Sequence, residues 1–305
     1  MLKTDKIQIW LKAFRLRTLP LALANAVMGS FLALFDGDFR WSICILIILT
    51  ITSLQILSNL ANDYGDAVSG ADGPDRIGPT RVTSSGLVTR KEMKEMITVF
   101  VLFSIVSGTL LILLGLRHVP WIRILIYFGL GLAAIVAAIK YTVGKKPYGY
   151  RGFGDLFVFI FFGLVGVIGS YYLYTNWLDK HVIIPAISIG LLSTAVLNIN
   201  NLRDIPADTE SGKITLPVKF GFDFARKYHL ALVGSALILA IFYSILHYFS
   251  PWQFLFVLTL PLFYQNAKKI YHYDASVNLN KELGNLSLAT LLFAFTFGLG
   301  LILFR

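Results

Sequence analysis

Apolar runs recur along the chain, and nine of them have the roughly 20-residue length that a ~30 Å hydrocarbon layer demands. They predict membrane-spanning helices at 18 to 35, 41 to 62, 94 to 116, 121 to 141, 155 to 175, 182 to 201, 228 to 248, 252 to 271 and 284 to 304. Two of these runs end in related polar stretches. Span 2 closes on Asn59-Leu60-Ala61-Asn62-Asp63-Tyr64-Gly65-Asp66, and span 6 closes on Asn200-Asn201-Leu202-Arg203-Asp204-Ile205-Pro206-Ala207-Asp208. Residues three and four apart share a helix face, so Asn59, Asn62, Asp63 and Asp66 are expected to project together, as are Asn200, Asn201, Asp204 and Asp208. The repeat suggests one membrane domain over residues 1 to 305, made of two bundle halves that present matching sites to one cavity.

Composition places the chain in the multi-spanning class: 56% of its 305 residues are hydrophobic, 14% are charged and mean hydropathy is +0.70. The net charge of +10 raises nucleic acid as a partner, but the distribution of charge argues for a bilayer instead. Of the 27 lysines and arginines, 22 sit in or against the amino-terminal segment and the loops after spans 2, 4, 6 and 8. The positive-inside rule then puts the amino terminus in the cytosol, the carboxy terminus outside and both Asn/Asp stretches on the cytosolic side. The basic start followed by Leu19 to Ala26 imitates a signal peptide, but the apolar run continues to Phe35, long enough to span. Cys44 is the single cysteine, and the histidines at 118, 181, 229, 247 and 272 form no ligand-spaced pair, which argues against disulfide, zinc and haem chemistry.

All-oxygen clusters at a bilayer edge suit a hard cation, Mg²⁺ above all, although solvated helix ends capped by Asn and Asp would read alike. Basic residues flank the clusters: Arg76 and Arg81 in the long loop after span 2, Lys145 after span 4 and Lys213 after span 6. Carboxylates repel a phosphate unless a divalent ion lies between them, so acids and bases together point to a pyrophosphate bridged by metal. Tyr141 and Lys145, four apart, share a face if span 4 extends that far, which would hold a phenol and an ammonium over the cavity. A tyrosine ring there would stabilise a passing carbocation; Tyr148 and Tyr150 read as interfacial aromatics. Phe157, Phe159, Phe161 and Phe162 in span 5 are open to two readings, lining for a lipid chain or ordinary packing.

These motifs carry a resemblance. Asn59 to Asp66 with Arg81 and Ser85-Gly86, and Asp204-x-x-x-Asp208 with Lys213, resemble the paired Asp-rich signatures of the UbiA superfamily of membrane prenyltransferases. Leu60 to Asp66, Asp75 to Pro79, Tyr141 to Tyr150 and Leu197 to Asp204 are similar to the 1,4-dihydroxy-2-naphthoate prenyltransferases of menaquinone synthesis. The resemblance implies nine helices around a central cavity, Mg²⁺, a polyprenyl diphosphate donor, an aromatic acceptor and a bacterial cytoplasmic membrane location with the active site near the cytosolic face. Asn62, Asp63, Asp66, Asp204 and Asp208 are then the expected metal ligands, with Asp66, Asp204, Asp208, Arg81, Lys145 and Tyr141 the catalytic set. Asn62, Arg76, Lys213, Asn200 and Asn201 would contact substrate. Rival readings are 4-hydroxybenzoate, haem or a chlorin as acceptor, or a transporter whose midplane charges serve alternating access. Against transport, the acids lie at helix ends on one side and the span interiors hold almost no charge. Gly70 stands where many relatives carry a third acid, and Arg15 and Arg17 both precede span 1 as candidates to reach the site.

Overall fold

A computed structural model describes residues 3–70, 81–273 and 277–303. Every regular element among them is helical. A short amino-terminal helix, α1 (Lys3–Phe14), meets α2 (Leu19–Phe35) at an elbow where Arg15 takes the left-handed conformation (φ 51°). The bundle continues with α3 (Trp41–Ser69), α4 (Arg90–Gly115), α5 (Trp121–Lys140), α6 (Gly154–Thr175) and α7 (Ile183–Arg203). Two short loop helices, α8 (Ile205–Glu210) and α9 (Leu216–Phe220), lead into α10 (Phe222–Leu246), α11 (Leu260–Tyr271) and α12 (Leu279–Ile302).

Among the described residues, eight helices are long and apolar enough to cross a membrane. The predicted span 252 to 271 is divided: Pro251–Thr259 winds as a 3₁₀ helix capped by Ser250 and Gln253, then passes into α11. At about 2.0 and 1.5 Å per residue the two pieces together reach roughly 36 Å.

Boundaries follow local chemistry. Helix α3 runs seven residues beyond its predicted end at 62 and stops at Gly70, whose φ of 76° closes the last turn, so the whole first motif is helical. Thr89 and Glu92 form a reciprocal capping box that starts α4. The second motif departs from expectation. Pro206 favours a fresh helix start, so α7 ends at Arg203, Asp204 lies in the break, and residues 200 to 208 do not share one continuous face.

Close backbone approaches weld the bundle. Gly298 on α12 admits Phe31 of α2, and Gly163 on α6 lies against Gly190 of α7. The middle of α6, Phe159–Ile168, is π-helical. At the end opposite the two motifs, Arg40 donates to carbonyls of Leu114, Gly115, Leu173 and Tyr174, satisfying the ends of α4 and α6. Nearby, Asp36 accepts from Tyr171 at 2.6 Å and lies 3.1 Å from His181, whose other ring nitrogen is 3.1 Å from Tyr243.

Candidate active site

One face of each of α2, α3, α5, α6 and α7 lines a cavity of about 320 Å³. On α3 the lining runs from Ile47 to Asp66 in helical steps, about 28 Å at 1.5 Å per residue, which is nearly the depth of a hydrocarbon layer. The wall is mostly apolar over its length and polar at the Asp66 end. Phe157, Phe161 and Phe162 line it, whereas Phe159 packs against Gly190 instead. Tyr141 lines the cavity beside Tyr148, ring centroids 5.4 Å apart and nearly perpendicular.

The polar end is built from both motifs. Asp66 is paired with Arg81 and accepts a hydrogen bond from Tyr150 at 2.8 Å. Asp208 accepts from Lys213 at 3.0 Å, and Lys213 lies 5.5 Å above the Tyr150 ring. Tyr150 therefore joins the two halves, holding a carboxylate of the first motif with its hydroxyl and the ammonium of the second with its face. Its carbonyl also accepts from Ile214 at 3.0 Å, which fixes the 141–150 loop to the 211–214 turn. The belt reading of Tyr150 is corrected here; its position ten residues after Lys140, within a run of glycines and tyrosines, was the available signal.

Electrostatics follow from burial. Desolvation pushes the Asp208 carboxyl up to about 6, with Lys213 pulling it down and Asp204 and Asp66 adding to the rise. Burial opposes the Lys213 ammonium, yet Asp208, Asp66 and Asp204 outweigh it and hold its pKa above the ordinary value. The Tyr150 hydroxyl is also raised, first by burial and then by Asp66.

The expected residues divide by position. Asn62, Asp66, Arg81, Tyr141, Asn200 and Lys213 line the cavity, and Arg15 joins them while Arg17 is not in the wall. Asp208 stands behind Lys213, with Oδ2 buried and without a hydrogen-bond partner. Asp63 faces elsewhere: its two oxygens accept from the backbone N–H groups of Val82 and Thr83 at 3.1 and 3.0 Å. Asp204 is gripped through both oxygens by Arg203 at 2.7 and 2.5 Å, and Arg203 also donates to Asn200 and to Asn280. Asn201 is buried outside the wall. Lys145 lies in an exposed turn and shares no helical face with Tyr141, because α5 ends at Lys140 and Gly144, at φ 120°, turns the chain. Arg76 and the Asp75 to Pro79 stretch lie outside the described residues. Thr142 was missed as a site residue; its hydroxyl meets the Ala61 carbonyl and Asn62 Oδ1 at 3.0 and 3.1 Å.

A family model for the UbiA prenyltransferase family matches residues 22–289, which include both motifs and the helices that carry them. The chain belongs to the UbiA prenyltransferase family. It is 43% identical over 301 residues to a 1,4-dihydroxy-2-naphthoate octaprenyltransferase of Haemophilus influenzae, covering 98% of this chain and 97% of that one. To the enzyme of the same description from Escherichia coli it is 45% identical over 267 residues, 87% and 86% of the two chains. The fold is that of a UbiA homolog from Aeropyrum pernix K1 (TM-score 0.67, 18% identity, 93% of this chain and 96% of that chain). A UbiA homolog from Archaeoglobus fulgidus bound to GPP and Mg²⁺ superposes with TM-score 0.62 at 14% identity, over 96% and 99% of the chains.

Among the described residues no group of three or more His, Cys, Asp or Glu side chains converges on one point. The oxygen donors of this UbiA-family site nevertheless suit a hard cation: Asp66 and Asn62 face the cavity, and the buried Oδ2 of Asp208 is an acceptor that lacks a donor.

Proposed function

We propose that this UbiA-family prenyltransferase transfers a polyprenyl group from its diphosphate to 1,4-dihydroxy-2-naphthoate, with loss of CO₂, to give a demethylmenaquinol. The observation that carries the reading is the meeting of Asp66 and Asp208, each paired with a cation, around Tyr150 at the mouth of a deep apolar cavity. A polar end for a diphosphate and an apolar slot for a prenyl chain are what this donor requires. The identities to the octaprenyltransferases above support the acceptor.

Asp66, Asp208 and Asn62 are the residues that would hold Mg²⁺, which when bound would take up part of the leaving group's charge. Arg81 and Lys213 supply fixed positive charge where the pyrophosphate departs. The Tyr141 and Tyr148 rings stand in the wall, where an electron-rich ring face would stabilise the allylic cation that remains. The acceptor ring attacks that cation through the carbon bearing its carboxylate; the new C–C bond forms, the C–CO₂ bond breaks, and its electron pair restores the aromatic ring. Asp63 and Asp204 act by position, the first pinning the 82–83 turn and the second anchoring Arg203.

The site faces the cytosol of a bacterial cytoplasmic membrane in a nine-span topology, with Pro251–Tyr271 as the eighth crossing; the positive-inside distribution supports this orientation. The test is purified protein in detergent with a polyprenyl diphosphate and 1,4-dihydroxy-2-naphthoate. A decarboxylated prenylated product that forms with Mg²⁺, disappears with EDTA and outcompetes 4-hydroxybenzoate product is expected. Turnover of 4-hydroxybenzoate alone would reassign the acceptor, and full activity in chelator would remove the metal from the reading.

A further inference from the structure

Gln55 lies on the cavity face of α3, two turns deeper than Asn62, and is 9% exposed. Its Nε2 reaches Thr18 Oγ1 at 3.3 Å and Asn59 Oδ1 at 3.4 Å. The direction of these bonds is forced by their neighbours. Thr18 Oγ1 spends its one hydrogen on the Arg15 carbonyl at 2.9 Å, so toward α3 it can only accept. Asn59 donates through Nδ2 to the Phe14 carbonyl at 2.9 Å and to Thr18 Oγ1 at 3.0 Å, which turns its own Oδ1 toward Gln55. Reversing the Gln55 amide would set its carbonyl against two acceptors.

Gln55 Oε1 is therefore turned away from Thr18 and Asn59, buried and without a hydrogen-bond partner, on a residue that lines the cavity. A buried, oriented acceptor of this kind calls for a donor from a ligand. The elbow that orients it also brings Arg15 into the same wall. Along α3, Gln55 is eleven residues from Asp66, about 16 Å at 1.5 Å per residue, which spaces it from the diphosphate end by room for a bicyclic ring.

We propose that the α1–α2 elbow and Gln55 form the subsite for the aromatic acceptor: Gln55 Oε1 accepts a hydrogen bond from a ring hydroxyl, and Arg15 faces the ring carboxylate. This rests on the naphthoate reading above and names the contacts that would select the acceptor. In a 1,4-dihydroxy-2-naphthoate the 1-hydroxyl is bonded internally to the adjacent carboxylate, so the 4-hydroxyl is the donor for Gln55.

The experiment compares 4-hydroxy-2-naphthoate with 2-naphthoate as ligands of purified wild type and Gln55→Met, by calorimetry and by competition against turnover. Wild type is expected to bind the hydroxylated probe about tenfold more tightly, as one oriented hydrogen bond provides. Gln55→Met should bind both at the level of 2-naphthoate, while KM for the prenyl diphosphate does not move. A variant that keeps the tenfold preference overturns the proposal, and so does a wild type that binds both probes equally, a result that needs no variant to fold. Wild type that binds neither naphthoate and does not turn over dihydroxynaphthoate would instead sink the functional reading.

Discussion

Lys213 Nζ donates to one oxygen of Asp208 at 3.0 Å, and the other oxygen, Oδ2, is buried without a partner. Half of this carboxylate is thus neutralised by the chain and half is left for something else. Asp208→Asn keeps shape and a hydrogen-bonding oxygen but removes the charge. If Oδ2 serves the metal-bridged diphosphate, turnover should fall roughly 10²-fold or more, about 2.7 kcal/mol, while thermal stability of the substrate-free protein holds or rises. Asp179→Asn, in the loop at the bundle end opposite the two motifs where Oδ1 accepts the His181 N–H, is the control and should retain activity. Near-normal turnover of Asp208→Asn at saturating donor and Mg²⁺ would reduce Asp208 to a structural partner of Lys213.

The same carboxyl makes a pH prediction. Its folded pKa, about 6, lies above its ordinary 3.8, so between those values the folded state holds more protons than the unfolded one. Stability of the metal-free protein from this group should therefore fall as pH rises from about 4 to 6 and level off above. Mg²⁺ competes with the proton, so the apparent Mg²⁺ requirement should rise steeply below pH 6. Melting temperatures with and without Mg²⁺ across pH 4.5 to 7.5 check both signs; parallel curves would show that Asp208 titrates independently of the metal.

Asp63 gives the opposite expectation from its neighbour Asp66. Because its oxygens serve two backbone N–H groups, Asp63→Ala leaves both donors unsatisfied, at about 1–3 kcal/mol each where buried. The variant should melt lower, and added Mg²⁺ should not restore its activity. An unchanged melting temperature combined with a raised Mg²⁺ requirement would return Asp63 to the ligand set.

What the sequence disclosed and what it hid divide along physical lines. Hydropathy located the eight long apolar helices found among the described residues because length and apolarity are local properties of each run, and it did not register the division of the run at 252 to 271. The i, i+3, i+4 rule brought Asn59, Asn62 and Asp66 to one wall, yet it could not see that Asp63 turns aside, since its partners come from a loop nearly twenty residues away. For the second motif, Pro206 warned of the break that the face argument over 200 to 208 overlooked. Tyr150 is only weakly signalled by its Gly/Tyr-rich surroundings and Gln55 not at all, because their contacts are with Asp66, Lys213 and Thr18, far apart in the chain. Lys145 shares a face with Tyr141 only in a helix that continues through Gly144, and α5 ends at Lys140.

Orientation is checked by labelling. Glu210 is exposed at the end of α8, so Glu210→Cys in a Cys44→Ser background should react with a membrane-impermeant maleimide only from the cytosolic side. Reaction from outside in intact cells would invert the topology and move the diphosphate site to the other face.

Gly65 tests whether the two halves of the site must be held at this spacing. A Cβ built there would lie 2.6 Å from Thr142 Oγ1 and 2.8 Å from the Thr142 carbonyl oxygen, so Gly65→Ala forces the 141–142 turn away from α3. That turn is tied to α3 through the Thr142 hydroxyl, and its loop carries Tyr150 to Asp66 and to Lys213. Displacement by even a fraction of an ångström separates the carboxylate of one motif from the ammonium of the other, and misplacement near 1 Å at a reacting centre can cost on the order of 10² in rate. Gly65→Ala should therefore lower kcat at least tenfold and weaken donor binding with it. Gly129, on α5, has open space around a built Cβ, and Gly129→Ala should leave kcat and melting temperature unchanged. If Gly65→Ala turns over like wild type, the loop has freedom to retreat without loss, and Tyr150 is not the link that sets the distance between the two acidic motifs.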